Sequence, residues 1–326
     1  MTSGYKRVVN NVGWRSGGLE DLSRTKIPVI LDTDIGGDID DTWALSMLLK
    51  SPELDLKLVL TETGNTTYRA KIAAKMLEVA GRTDVPVGIG LRFDDRLGPQ
   101  SAWVEGYDLS SYPGVVHEDG VGALIDAIMD SPRITTLICI GPVPNIAAAL
   151  EREPDIVNHA RFVGMHGCLR KSPPEYGSGG GIVAEYNVAA DPKACQKVFT
   201  AAWEMTITPL DTCGFVRLSG QKYRAVRECE DPLIKALLEN YEIWLKSGNK
   251  RWREEFESRS SILFDTVAVY LSFSEELLFM EKLGIRVTDD GYMVIDDKAK
   301  AVNCATEWKD LPAFERFLVE RLTGKN

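Results

Sequence analysis

Five aspartates fall within ten positions directly after a short apolar segment, Ile27 to Leu31. They are Asp32, Asp34, Asp38, Asp40 and Asp41. The apolar segment is typical of a buried parallel strand, and the apolar run from Trp43 to Leu49 predicts a helix after the aspartates. Carboxylates crowded at a buried strand end repel one another unless a hard cation balances their charge. The stretch therefore predicts a metal site with oxygen ligands.

The same acidic stretch has a simpler interpretation, in which its later aspartates only cap the following helix. Aspartate in a first turn accepts hydrogen bonds from free N–H groups and complements the helix dipole. Capping needs one acidic residue and favours two, but it gives no reason for Asp32 and Asp34 at the strand end or for the Gly36-Gly37 turn. We therefore favour the cation site, with one or two aspartates free to act as caps.

Strand and helix signals alternate along the chain. Leu54 to Thr61 reads as a strand, Tyr68 to Ala80 as a helix and Val85 to Ile89 as the next strand. This rhythm predicts an α/β fold with a mostly parallel central sheet flanked by helices, closed by a C-terminal hairpin and helix. We predict one domain over residues 26–326, preceded by an N-terminal extension over residues 1–25.

Charge and cysteine spacing exclude several classes of protein. The formal charge of −10 argues against a protein that holds nucleic acid through its phosphates and favours a small neutral or cationic ligand. The six cysteines show no CxxC spacing, so neither a zinc site nor a disulfide framework is indicated. The polar N-terminus and the absence of a long apolar run predict a cytoplasmic protein with no membrane segment.

Further short motifs that contain polar residues or glycine follow other predicted strands. In chain order they are Thr63-Gly64-Asn65, Ile140-Gly141-Pro142 through Asn145, Met165-His166-Gly167, Glu185-Tyr186-Asn187 before Asp191-Pro192, Pro209-Leu210-Asp211-Thr212 and Leu263-Phe264-Asp265. With Asp32-Thr33-Asp34-Ile35-Gly36 and Asp40-Asp41, the set resembles the ordered signature of the inosine–uridine-preferring nucleoside hydrolases. The resemblance covers nearly the whole chain.

The resemblance implies a Ca²⁺ enzyme that cleaves the N-glycosidic bond of a ribonucleoside to give base and ribose. In that family carboxylates and one main-chain carbonyl hold the ion, which also takes two ribose hydroxyls and the nucleophilic water. Carried over, the metal ligands are Asp34, Asp41, Asp265 and the carbonyl of Ile140. All are hard oxygens, as calcium requires. The family resemblance also implies a homodimer or homotetramer.

The resemblance further assigns catalytic and sugar-binding roles. Asp34 is the candidate base that takes a proton from the attacking water. Hydrogen bonds that hold the ribose hydroxyls and strengthen as the sugar becomes oxocarbenium-like would supply much of the rate. The substrate-binding candidates are Asp40, Asn65, Met165, His166, Glu185, Asn187 and Trp244. Taken singly, Asn65 and Asn187 also fit turns, Glu185 a solvated charge and Asp265 a helix N-cap.

The sequence departs from the family at two places. The acidic motif is longer than the family's shortest form by Asp38-Ile39, and we assign the family roles to the adjacent pair Asp40-Asp41. Asp38 is then an additional carboxylate or an exposed turn residue. Where family members that favour inosine and uridine carry a proton-donating His, this chain has Phe264, which cannot donate a proton.

Leaving-group activation must therefore differ, and two kinds of residue are available for it. His117 and His166 are the candidate acids, since an imidazole with a pKa near 6.5 donates a proton at neutral pH. Alternatively, stacking on a purine by Trp244, Tyr241 or Trp252 would favour an electron-poor base. At helical spacing these aromatics also fit a hydrophobic core, and a lone His is often only a packing residue.

Two functions of other classes compete with hydrolysis. The first is a non-catalytic protein that binds calcium and ribose on the same fold. The second is an aspartate-nucleophile phosphatase, suggested by Asp32-Thr33-Asp34 after a strand. The phosphatase would need a downstream Lys and a phosphate-binding Ser or Thr at other strand ends, and no convincing set is present.

Overall fold

The computed structural model of the chain describes residues 26–176, 179–248 and 250–324. The predicted N-terminal extension, residues 1–25, lies outside the described residues. Within them, ten strands form one sheet in the order β4-β3-β2-β1-β5-β6-β7-β10-β8-β9. The strands are β1 (Ile27–Thr33), β2 (Leu54–Thr61), β3 (Val87–Ile89), β4 (Val116–His117), β5 (Thr135–Cys139), β6 (Ala160–Met165), β7 (Met205–Thr208), β8 (Leu278–Val287), β9 (Met293–Ile295) and β10 (Ala301–Trp308).

Twelve α-helices connect and cover the strands in the described part of the chain. They are α1 (Asp40–Leu49), α2 (Thr66–Val79), α3 (Gly120–Met129), α4 (Pro144–Arg152), α5 (Tyr186–Ala189), α6 (Pro192–Thr200), α7 (Leu210–Cys213), α8 (Gly220–Arg227), α9 (Pro232–Gly248), α10 (Trp252–Ser258), α11 (Thr266–Leu271) and α12 (Leu311–Thr323). Short 3₁₀ helices span Ser101–Val104, Leu109–Ser111, Pro154–Asn158 and Pro174–Tyr176. None of the described helices has the length and apolar character needed to cross a bilayer.

Strand β1 is the centre of the parallel part of the sheet. It pairs in parallel with β2 on one side and β5 on the other, and six of its seven residues are buried. Successive side chains of a strand point to opposite faces of the sheet. Accordingly, Val29 and Leu31 pack into one hydrophobic core, and Ile30 packs into another on the opposite face. The predicted mostly parallel sheet with helices on both faces is confirmed.

The C-terminal strands extend the sheet beyond β7. Strand β10 pairs in parallel with β7 and antiparallel with β8, and β8 pairs antiparallel with β9. Helix α12 then follows β10, so the predicted hairpin and closing helix are confirmed. Because β1, β5, β6 and β7 run in the same direction, their carboxyl ends meet at one edge, where ligands of α/β sheets bind.

Candidate active site

A cavity of about 420 Å³ lies at the carboxyl edge of the parallel strands. It is lined by residues that end or follow β1, β5 and β6, and by residues at the starts of α1, α5 and α11. Eight of the residues predicted from the sequence line it: Asp34, Asp40, Asp41, Ile140, Met165, Glu185, Asn187 and Asp265. The fold thus brings most of the predicted site to one place.

Three buried carboxylates form the tightest cluster in this cavity. Asp40 and Asp41 begin α1 and Asp265 directly precedes α11, and these two helices pack against each other. One oxygen of each carboxylate lies within 4.8 Å of the others. Burial and mutual repulsion raise the pKa of all three groups well above the usual range. A bound cation would relieve this repulsion, and the all-oxygen donor set fits a hard divalent ion.

Helix capping does not account for these aspartates. The N-cap residue of α1 is Ile39, and among the described residues no side chain caps it. Asp265 occupies the N-cap position of α11, but its side chain makes no capping hydrogen bond there. Asp41 instead accepts a hydrogen bond of 2.5 Å from the Thr33 hydroxyl. Its carboxylate is therefore fixed toward the strand end and the cavity.

Asp34 lines the same cavity from the end of β1 but lies outside the cluster of three. Burial raises the pKa of its carboxyl group, and the Arg69 guanidinium opposes that effect from 3.8 Å. A side chain on Gly141 would place its Cβ 2.8 Å from Asp34 Oδ1 and 2.3 Å from Glu62 Oε1. Glycine at this position therefore allows the turn after β5 to approach both acids.

Asp32 and Glu62 are buried behind the cavity rather than in its wall. Asp32 Oδ1 accepts a hydrogen bond of 2.9 Å from Asn145 Nδ2, and burial raises the pKa of Asp32 to about 8. Glu62 is fully buried, and burial together with neighbouring acids raises its pKa well above the usual range. Both carboxyl groups are thus shielded from solvent behind the acidic wall.

A further part of the cavity wall is built from the start of α5 and the residue before it. Glu185 accepts hydrogen bonds of 2.8 Å from the backbone N–H groups of Gly167 and Asn187. Burial nevertheless raises the pKa of Glu185 to about 7. Asn187 Nδ2 donates to the carbonyls of Ile140 at 3.1 Å and Met165 at 2.9 Å. This amide links the ends of β5 and β6, which fixes the Ile140 carbonyl at the cavity.

The acidic turn between β1 and α1 is held by side chains from distant parts of the chain. The carbonyls of four successive residues, 35–38, each accept a hydrogen bond from a different side chain. The pairs are Arg69 Nη1 to Ile35 (3.0 Å), the Tyr68 hydroxyl to Gly36 (3.1 Å), Trp244 Nε1 to Gly37 (3.2 Å) and Gln100 Nε2 to Asp38 (2.7 Å). Gly36 has φ +101°, which a residue with a side chain rarely adopts.

Four predicted site residues do not line this cavity. His117 lies on β4, the edge strand, which β3 and β2 separate from β1. The His166 side chain is fully buried between Phe162 and Phe199, and burial lowers its pKa to about 3. The structure therefore offers neither imidazole as a proton donor at the cavity.

The other two residues in this group have structural contacts instead. Asn65 is the N-cap of α2, where its side chain accepts a hydrogen bond from Tyr68 N. Trp244 lies beneath the acidic turn and donates to the Gly37 carbonyl. The alternative interpretation of Asn65 as a turn residue matches this geometry, and Tyr241 is a core residue that contacts Trp43 edge-on.

Sequence reasoning missed several residues that build the site. Tyr176 and Tyr186 line the cavity beside Phe264, and Tyr176 contacts the Phe264 ring edge-on at 6.2 Å between centroids. Tyr186 lies between the predicted site residues Glu185 and Asn187 in the sequence, so its place in the cavity could have been predicted from that motif. Arg69 and Gln100 carried no such signal, because their roles depend on contacts with a turn more than 30 residues earlier in the chain.

Comparisons with known proteins give a consistent result. Non-specific ribonucleoside hydrolase RihC of Klebsiella pneumoniae is 35% identical over 200 residues, which cover 57% of this chain and 62% of that protein. An uncharacterized protein of Schizosaccharomyces pombe is 31% identical over 197 residues, covering 56% and 61% of the two chains. The matched region thus spans less than two thirds of these curated relatives.

Solved structures share the fold over almost the whole chain. The plant nucleoside hydrolase PpNRh1 has a TM-score of 0.73 and 23% identity, covering 92% of this chain and 99% of its own. A purine-preferring ribonucleoside hydrolase from Gardnerella vaginalis has a TM-score of 0.73 and 24% identity, with 91% and 98% covered. The family model described as inosine-uridine preferring nucleoside hydrolase matches residues 29–316, so this chain belongs to that family.

Proposed function

We propose that this protein is a Ca²⁺-dependent nucleoside hydrolase that cleaves the N-glycosidic bond of a ribonucleoside or nucleoside-like riboside into base and ribose. The observation that carries the proposal is the convergence of Asp34, Asp40, Asp41 and Asp265 on one cavity at the carboxyl edge of the sheet. Membership of the family and the name of the Klebsiella relative support the same reaction.

The proposed ion ligands are Asp34, Asp41, Asp265 and the main-chain carbonyl of Ile140. Their oxygen donors suit calcium, and the repulsion within the acidic cluster supports the presence of a cation. When bound, the ion would lower the pKa of a water molecule and align the ribose hydroxyls with it. Asp40, next to Asp41 in the cluster, would then accept a hydrogen bond from the sugar.

The chain's own residues would activate the water and hold the sugar. We assign the base role to Asp34, because its carboxylate lines the cavity together with the other proposed ion ligands and can accept a proton from a water held there. The Arg69 guanidinium, 3.8 Å away, favours the charged form of this carboxylate and opposes the effect of burial on its pKa. Glu185 and Asn187, which line the same cavity, would hold further ribose hydroxyls while positive charge develops on the sugar.

Hydrolysis of p-nitrophenyl riboside, with and without a calcium chelator, tests the proposal. The nitrophenolate leaving group needs no proton, so this substrate reports on water activation and sugar binding alone. We expect turnover by the wild type that is lost on chelation and in Asp34→Ala. Asp126→Asn is a matched control, because Asp126 is an exposed residue of α3 outside the cavity, and it should keep wild-type activity.

A non-catalytic binder on the same fold would give the opposite pattern. It would bind ribose in a calcium-dependent way, measured by calorimetry, without turning over p-nitrophenyl riboside. That result would refute the hydrolase assignment. Following the family resemblance, we also propose a cytoplasmic homodimer or homotetramer, which light scattering on the purified protein and imaging of the tagged protein in cells would test.

A further inference from the structure

The side chains that line the cavity are predominantly acidic. Six of the thirteen residues that line it are carboxylic acids: Asp34, Asp38, Asp40, Asp41, Glu185 and Asp265. Among the described residues, no His, Lys, Arg or Cys lines the same cavity. A divalent cation balances two negative charges, so the wall has more acidic groups than one such ion requires. The site therefore has an excess of acceptors and no cationic donor.

This composition limits the leaving groups that the site can release. A neutral nucleobase departs with the bonding electron pair on nitrogen and needs a proton as it leaves. Phe264 cannot supply one. The candidate imidazoles His117 and His166 lie on the edge strand and in the core, outside the cavity lining. Tyr176 and Tyr186 reach the cavity, but burial raises the pKa of both phenols, which makes them weaker acids.

The aromatic residues of the wall suit a flat cation. Tyr176 and Phe264 contact each other edge-on and line the cavity together with Tyr186, which is 55% exposed. Aromatic faces attract cations through the ring quadrupole, and planar rings stack on them. These side chains place an aromatic surface next to the acidic one, a combination that suits a charged heteroaromatic ring.

Asp38 adds an exposed carboxylate to this acidic surface. Its side chain is exposed and lines the cavity, while its own carbonyl is held by Gln100 and its Oδ1 accepts a hydrogen bond of 2.6 Å from Ile39 N. The residue belongs to the Asp38-Ile39 insertion relative to the family's shortest motif. Its position adds to the wall a carboxylate that is outside the proposed set of ion ligands.

We propose that the site prefers ribosides whose base is already cationic, such as N-ribosylpyridinium compounds, and that Asp38 favours them by charge attraction. The proposal rests on the hydrolase function proposed above. In this reaction the water oxygen bonds to the anomeric carbon, the C–N bond breaks, and its electron pair neutralises the ring nitrogen. Asp34 takes one proton from the water and passes it to solvent, so each turnover yields ribose, a neutral base and one proton.

A comparison of substrates tests this inference. Nicotinamide riboside is the cationic probe, inosine and uridine are neutral probes, and p-nitrophenyl riboside reports on the hydrolase centre itself. We expect kcat/KM for nicotinamide riboside to exceed that for inosine and for uridine by at least about tenfold, as for one unbalanced charge in a partly screened site. One proton should be released per nicotinamide formed.

Two outcomes separate the inference from the proposed function. Turnover of p-nitrophenyl riboside with inosine or uridine hydrolysed as fast as nicotinamide riboside would overturn the cationic preference and leave the hydrolase intact. No turnover of any riboside would overturn the hydrolase function, and the inference with it. Added salt should lower the preference, because it screens charges at an exposed position.

Variants of Asp38 test its role in the preference. Asp38→Asn should lower the ratio of kcat/KM for nicotinamide riboside to that for p-nitrophenyl riboside about fivefold, since it removes a single exposed charge. Asp38→Glu keeps the charge and should keep most of the ratio, whereas the distant control Asp126→Asn should leave it unchanged. An unaltered ratio in Asp38→Asn would remove this residue from the proposal.

Discussion

Replacement of Gln100 by Leu is the sharpest test of how the acidic turn is held. Gln100 is fully buried, and its side chain donates to the Asp38 carbonyl at 2.7 Å and accepts from Asn240 Nδ2 at 2.8 Å. Leu has a similar volume, so the change removes the hydrogen bonds without leaving a large cavity. Each bond contributes about 1 kcal/mol net, and the buried Asn240 amide, left with only a long contact of 3.5 Å to the Thr42 hydroxyl, costs about 1 kcal/mol more. We expect a loss of about 3 kcal/mol.

Urea unfolding of Gln100→Leu measures that loss, and p-nitrophenyl riboside kinetics measure its effect on the site. A turn with a free Asp38 carbonyl should position the adjacent aspartates less well, so KM and the calcium requirement should both rise. Gln221→Leu is the matched control, because Gln221 is exposed on α8. A Gln100→Leu protein within about 0.5 kcal/mol of the wild type, the usual range for surface changes, would refute the reasoning.

Three further predictions concern the metal site, a buried His and the thiols. In thermal melts at a calcium concentration one hundred times the Kd, the wild type should gain about 2.7 kcal/mol of stability. Asp265→Asn should gain almost none under the same conditions. An equal gain in both proteins would exclude Asp265 as a ligand. Burial lowers the pKa of His166 from 6.5 to about 3, so the unfolded chain binds a proton that the folded chain does not, and stability falls as pH drops through that interval. In urea unfolding at several pH values, His166→Phe should reduce the slope of unfolding free energy against pH by up to about 1.4 kcal/mol per pH unit. Identical slopes for the wild type and the variant would contradict this prediction. All six cysteines are buried, so Ellman's reagent should detect no fast-reacting thiol until the protein is unfolded, and rapid modification of any one would refute that placement.

The sequence predicted the residues at strand ends well, for a physical reason. Buried strands have a strong apolar signal, and the edge at which parallel strands end follows from their common direction. Asp34, Ile140 and Met165 each lie at or just after such an end, so their convergence could be expected before the structure was known. Asp265 required the family resemblance, because its neighbourhood alone also fits a helix N-cap.

Residues whose roles depend on distant contacts could not be predicted in this way. His117 follows an irregular segment, and only the position of β4 at the sheet edge places it away from the cavity. Gln100 and Trp244 act on the acidic turn from segments whose local patterns indicate only a loop and a core helix. Tyr176 lies in a segment rich in Gly and Pro without periodicity, which gives no direction to a side chain.

The position of β10 between β7 and β8 has a consequence for synthesis of the chain. Residues 301–308 form the strand that covers the free edge of β7, although β7 itself ends almost a hundred residues earlier at Thr208. On the ribosome, the parallel strands would thus be complete long before their open edge is paired. An unpaired edge attracts other chains. Nascent or prematurely terminated chains that lack β10 should therefore depend on chaperones and aggregate more readily than the full chain.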